Sequence, residues 1–150
     1  LFVHKWAIQI MIRQIHQPLI NEYWPLVLPL LEPAITLGRR AKAPDVRQWL
    51  LRGEYQLWIS GSVQEIKAAA VTAVTVYPGS KWLTIVLAGG SDMPHWLEEG
   101  LDSLERFALG AGCDGVEIIG RVEWGRVLDG YEVTATVTQK FLMPERRAAQ

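Results

Sequence analysis

The stretch Trp82-Leu83-Thr84-Ile85-Val86-Leu87-Ala88-Gly89-Gly90-Ser91-Asp92, with the segment that follows it, decides the fold. Trp82–Ala88 is an apolar, β-branched run that reads as a strand. After Gly89-Gly90, apolar positions recur at Leu97, Leu101, Leu104, Ala108 and Ala111. Steps of four and three residues place them on one stripe, which predicts a helix over Pro94–Gly112. Ser91 or Asp92 can cap its start, and Gly112 can close its end. Val116–Ile119 then reads as a short buried strand. A strand, a helix and a strand in this order form a right-handed crossover, so Val116–Ile119 is predicted parallel to Trp82–Ala88.

Upstream lies Ile66–Tyr77, a long strand of small and β-branched residues. Ala68, Ala70, Val74 and Val76 share one face, and Ala69, Val71 and Ala73 the other. Apolar groups on both faces predict a central strand covered on both sides. Pro78-Gly79 turns the chain into Trp82–Ala88. Tyr55–Ser60 is the preceding strand, with Gly61-Ser62 as the hairpin turn. Pro44-Asp45-Val46 opens a short helix that runs to Arg52 and is stopped by Gly53.

Nearer the N-terminus, Trp6–Arg13 alternates as a strand. Pro18 suits the first turn of a helix through Leu19–Trp24. Pro25, Pro29 and Pro33 each remove a backbone donor, so this helix is predicted to kink or break before Leu37. Gly38–Ala43 is a basic link. Downstream, Trp124–Leu128 reads as a short helix ended by Gly130, Tyr131–Leu142 as a last strand, and Glu145–Gln150 as a polar tail.

Composition bounds the function. A chain of 150 residues suits one domain. With 49% hydrophobic and 21% charged residues, disorder is excluded as the main state. Fifteen basic against sixteen acidic residues give a net charge of −1, which argues against a nucleic-acid binder. One cysteine, Cys113, excludes an internal disulfide and suits a reducing compartment. His4, His16 and His95 lack ligand spacing, so no metal site is expected. Leu19–Leu37 carries charges and three prolines, which argues against a membrane span. The first residues lack the pattern of a signal peptide.

The glycine pair supports two readings: a cradle for a pyrophosphate, or an ordinary strand-to-helix turn with a serine cap. Asp92 weighs against the cradle, because its carboxylate competes for the same N–H groups. Glu117 and Glu123 are candidate bases, or simply solvated carboxylates. Tyr131 is a candidate proton source, or a core residue. Cys113 reads as a small buried hydrophobe. Glu98, Glu99, Asp102 and Glu105 read as the wet face of the long helix.

Several short motifs coincide: Asp45-Val46 through Gly53 with Gln56-Leu57-Trp58, Ala69-Ala70-Val71-Thr72 with Tyr77-Pro78, and Leu87-Ala88-Gly89-Gly90. Ala111-Gly112-Cys113-Asp114, Gly120-Arg121 through Trp124 to Arg126-Val127-Leu128, Gly130-Tyr131 and Lys140-Phe141-Leu142 continue the set. With the element order, they make the chain resemble the GNAT superfamily of N-acetyltransferases over Asp45 to Leu142. More narrowly, it resembles the small GNAT-like proteins of phages and prophages. Residues 1–43 form a divergent N-terminal part of a single domain.

The resemblance implies an α+β (α/β) fold: a mixed, mostly antiparallel sheet with a splayed parallel strand pair and flanking helices. It implies acetyl-CoA or CoA in the notch between those strands. The pantetheine would lie along Val86, Leu87 and Ala88. The pyrophosphate would lie on Gly89, Gly90, Ser91, Asp92 and Met93, with the acyl acceptor arriving from the other side. The sequence departs from the superfamily in three ways. No Arg or Gln precedes the glycines, Pro94 offers no N–H, and Arg126 stands where the superfamily's proton-donating Tyr falls. Arginine stabilises charge but cannot exchange a proton. The catalytic candidates are therefore Tyr131, Glu117 and Arg126.

These departures predict weak CoA binding and no robust acetyl transfer. The favoured sequence reading is a catalytically degenerate phage-type protein. It would be made in the host cytoplasm and would dock to other protein subunits in a virion or its assembly line. Seven tryptophans fit such contacts, with Trp6, Trp24 and Leu26–Leu31 as the expected surface. The alternative is an acetyl-CoA-dependent N-acetyltransferase acting on an amine or protein.

Overall fold

A computed structural model describes residues 12–91, 93–119, 128–135 and 137–143. In chain order it holds β1 (Ile12–Ile15), a 3-10 turn (Gln17–Leu19), α1 (Ile20–Gly38) and α2 (Ala43–Leu51). β2 (Tyr55–Ser62), β3 (Glu65–Tyr77), β4 (Ser80–Gly90), α3 (Met93–Gly110) and β5 (Gly115–Ile118) follow. The strands form one sheet in sequence order. Every pairing is antiparallel except β4 with β5, which is parallel as the crossover pattern predicts.

β3 is covered on both sides. Ala69 and Val71 join Trp24, Val27, Leu31, Val46 and Leu50 in a core beneath α1 and α2. Ala70 joins Leu83, Ile85, Leu101, Leu104 and Ala108 in a second core beneath α3. Leu101, Leu104 and Ala108 of the apolar stripe are thus buried where their spacing requires. At the helix end, Cys113 N–H bonds to Ala108 O and Gly112 N–H to Leu109 O. With Gly112 at a φ of 76°, this is a glycine-closed helix end of the expected kind. α2 starts with Asp45 accepting the Lys42 backbone N–H at 2.9 Å, and Gly53 turns the chain after it at a φ of 76°.

Four expectations are corrected. α1 is one continuous helix through Pro25, Pro29 and Pro33. The prolines recur every fourth residue, and all three are exposed. The carbonyls they release belong to Asn21, Pro25 and Pro29, on the exposed side of the helix, where water can bond to them. The opposite stripe of Ile20, Trp24, Val27, Leu31 and Ile35 is buried and holds the helix together. The same continuity buries part of the expected docking surface. Trp24, Val27 and Leu31 close the core, and of the run Leu26–Leu31 only Leu26 and Pro29 are exposed. Trp6 lies outside the described residues.

The β2–β3 turn is Val63-Gln64, not Gly61-Ser62. Gly61 sits instead at a register shift inside the ladder, at a φ of 103°, with Glu65 O where a Cβ would stand. Gly89-Gly90 is not a loop: both residues end β4 and pair with Ala69 and Ala68. Finally, Tyr131–Leu142 is not a strand over its described residues. Val133 and Val137 stand exposed, and β propensity without a ladder partner does not make a strand. Of the expected strand Trp6–Arg13, Ile12 and Arg13 are described, and β1 continues to Ile15. Of the expected helix Trp124–Leu128 only Leu128 is described, buried beneath α3.

Candidate functional site

The β3–β4 register slips once. Val71 faces Leu87 and Thr72 faces Ile85, so Val86 is an extra residue on β4. Such a bulge bends its strand and re-aims the chain beyond it. On the other side of β4, the parallel pairing with β5 runs from Trp82↔Gly115 to Ile85↔Ile118. It closes with Ile119 N–H on Ile85 O at 3.3 Å. β4 then continues from Val86 to Gly90 beside β3 on one edge and, among the described residues, with no strand on the β5 edge. Among the described residues a notch therefore opens at the carboxyl end of the parallel pair, where open α/β sheets take ligands. Val86 and Leu87 pack towards the α1–α2 core, and Ala88 towards the α3 core.

The glycines at the notch are filled by the protein itself. A Cβ on Gly89 would stand 1.8 Å from Leu30 O, because α1 lies directly on β4. A Cβ on Gly90, at a φ of 138°, would stand 2.4 Å from Lys67 O. The Ser91 N–H is bonded to Lys67 O at 3.2 Å. The Gly89-Gly90 pair thus serves close packing of backbone on backbone. Met93 begins α3, and Asp92 lies outside the described residues.

Glu117 sits on β5 opposite Thr84. The Thr84 hydroxyl donates to Glu117 Oε1 at 2.7 Å and lies 2.8 Å from Thr75 Oγ1. Val116 and Ile118 pack into the α3 core, so Glu117 between them points to the α1–α2 face. Tyr131 lies on the other face. It packs against the α3 core and donates its hydroxyl to Glu105 Oε2 at 3.1 Å. Burial, then the neighbouring Glu105 carboxylate, raises its pKa far above that of free tyrosine. The structure therefore separates the two described catalytic candidates. Arg126 and Glu123 lie outside the described residues. The threonines around Glu117 escaped sequence reading, because only the register of three strands brings them together.

The Tyr131 tether predicts a pH dependence of stability. Above about 10, where free tyrosine ionises, the unfolded chain loses this proton and the folded chain keeps it. The folded state then binds more protons, so stability falls as pH rises through that range. Urea melts from pH 8 to 11 should show this decline, and Tyr131→Phe should flatten it.

Cys113 is buried in the α3 core. Among the described residues no cluster of three metal-ligating side chains occurs, and no helix is long and apolar enough to cross a membrane.

No family model and no curated protein sequence matches the chain. Solved structures do match. A GNAT family acetyltransferase from Staphylococcus aureus superposes with a TM-score of 0.59 at 14% identity, over 88% of this chain and 98% of its own. An aminoglycoside acetyltransferase from an uncultured soil metagenomic sample, in complex with trehalose, gives 0.64 at 10% identity, over 89% and 95%. The chain has the GNAT fold. A predicted acetyltransferase from Clostridium acetobutylicum, solved with acetyl-CoA, matches the same fold with a TM-score of 0.58 at 13% identity, over 89% and 95%.

Leu30 O and Lys67 O fill the space beside the two glycines where side chains would stand.

Proposed function

We propose that the chain is an acyl-CoA-dependent N-acyltransferase whose acceptor is an amine. The observation that carries this reading is the overrun of β4 past β5 beyond the bulge at Val86. It supplies an open backbone edge beside a helix start, in a fold shared with acetyltransferases. When bound, acyl-CoA supplies an acyl group activated as a thioester. The backbone of Val86, Leu87 and Ala88 would hold its arm as an added strand. Glu117, near the mouth of the notch, presents a carboxylate on the α1–α2 face. That charge attracts a protonated amine, and the carboxylate takes the proton that the amine must lose before it attacks. Thr84 holds one carboxylate oxygen, which leaves the other for the acceptor. Tyr131 takes no part in this step, since its proton is committed to Glu105 on the opposite face.

This reading displaces docking to virion subunits as the leading one. Docking drew on an exposed Trp6, Trp24 and Leu26–Leu31, and of these Trp24, Val27 and Leu31 close the core. The test is a thiol-release assay with acetyl-CoA across polyamines, aminoglycosides and peptides with free N-termini. Saturable turnover with one amine class supports the reading, and release at the buffer rate with every class refutes it.

A further inference from the structure

We infer that Thr84 and Thr75 form a hydroxyl relay that positions the Glu117 carboxylate for the acceptor amine; this rests on the acyltransferase reading above. Three strands build the relay. Thr75 stands on β3, Thr84 on β4 and Glu117 on β5, with β-register pairs Thr75↔Trp82 and Thr84↔Glu117 setting them side by side. The oxygens lie 2.8 Å and 2.7 Å apart along the chain.

A threonine hydroxyl has one proton and two acceptor sites. Thr84 gives its proton to Glu117 Oε1. Its remaining bond to Thr75 must therefore be accepted, so Thr75 donates. The relay runs Thr75 to Thr84 to Glu117, with each hydroxyl polarising the next. Thr84 is 2% exposed, so water does not compete for its bond. A hydrogen bond from a shielded hydroxyl to a carboxylate is among the stronger kinds.

The proton taken from the amine arrives on the other carboxylate oxygen, so Oε1 stays an acceptor and Thr84 keeps donating to it. The direction Thr75 to Thr84 to Glu117 is the same in both protonation states, and no heavy atom needs to move. The relay thus holds the carboxyl in one place before and after it accepts a proton from an amine. Nothing in this arrangement serves burial alone. Thr84 would be an easy site for valine if the strand needed only a β-branched filler.

Thr84 is therefore a positioning residue, acting through Glu117. The experiment compares Thr84→Val, Thr84→Ser and Thr75→Val in the full chain, using thiol release with the best acceptor found. Thr84→Val keeps the shape and removes the donor, and should lower kcat about tenfold with little change in KM for acetyl-CoA. Thr84→Ser restores the hydroxyl and should recover most of the rate. Thr75→Val should show a smaller loss. In the Glu117→Gln background, Thr84→Val should cause little further loss of kcat, because its effect passes through the same carboxyl group. A Thr84→Val enzyme that melts like wild type and keeps wild-type kcat overturns the relay alone. So does a full tenfold loss in both backgrounds. A wild-type chain without turnover overturns the acyltransferase reading, and the relay with it.

Discussion

Gly89→Val is expected to abolish cooperative folding, and Gly89→Ala to cost roughly 3–5 kcal/mol of stability, the range of severe backbone and packing defects. The reason is the contact between α1 and β4. The added Cβ would lie 1.8 Å from Leu30 O and 2.8 Å from its carbonyl carbon. Neither atom belongs to a flexible side chain, so the whole helix must lift. Leu31, fully buried beside this contact, would be drawn out of the core. A domain of this size has only about 5–15 kcal/mol to lose. Gly79→Ala is the control, since nothing stands within 4 Å of its added Cβ. Urea denaturation of the three variants checks this. If Gly89 served only to admit a phosphate, Gly89→Ala would melt like wild type and lose CoA affinity instead.

Glu117→Gln is expected to lower kcat by about 10²–10⁴-fold, the usual contribution of a positioned acid–base group. The glutamine carbonyl can still accept the Thr84 hydroxyl, so the variant should fold and melt like wild type. KM for acetyl-CoA should stay near its wild-type value, because the carboxyl faces the acceptor side. Tyr131→Phe in parallel should leave kcat intact. Steady-state thiol release separates these outcomes. Wild-type turnover by Glu117→Gln would remove Glu117 from the reaction.

The fold was legible where one-dimensional patterns dominate. The stripe from Leu101 to Ala108 and the two apolar faces of β3 reflect periodicities that burial enforces directly. Pro44 and Gly53 punctuate α2 by local backbone geometry. The continuity of α1 was not legible, because proline cost depends on which face the freed carbonyls meet. Gly89 and Gly90 carried the same difficulty. Glycine signals a close approach, but not whether the approaching group is a phosphate or Leu30 O. Glu117 was visible as a lone carboxylate, while its partners Thr84 and Thr75 lie on neighbouring strands, and the sequence does not print register. The run from Tyr131 to Leu142 has the composition of a strand, but no ladder partner among the described residues.

The claim that the β4–β5 notch receives an acyl-CoA is tested most directly by amide hydrogen exchange during titration with acetyl-CoA. The expected result is saturable binding, weaker than micromolar, with added protection at Val86, Leu87 and Ala88 and at the start of α3. Exchange at Val86–Ala88 that stays unchanged up to millimolar acetyl-CoA would contradict it.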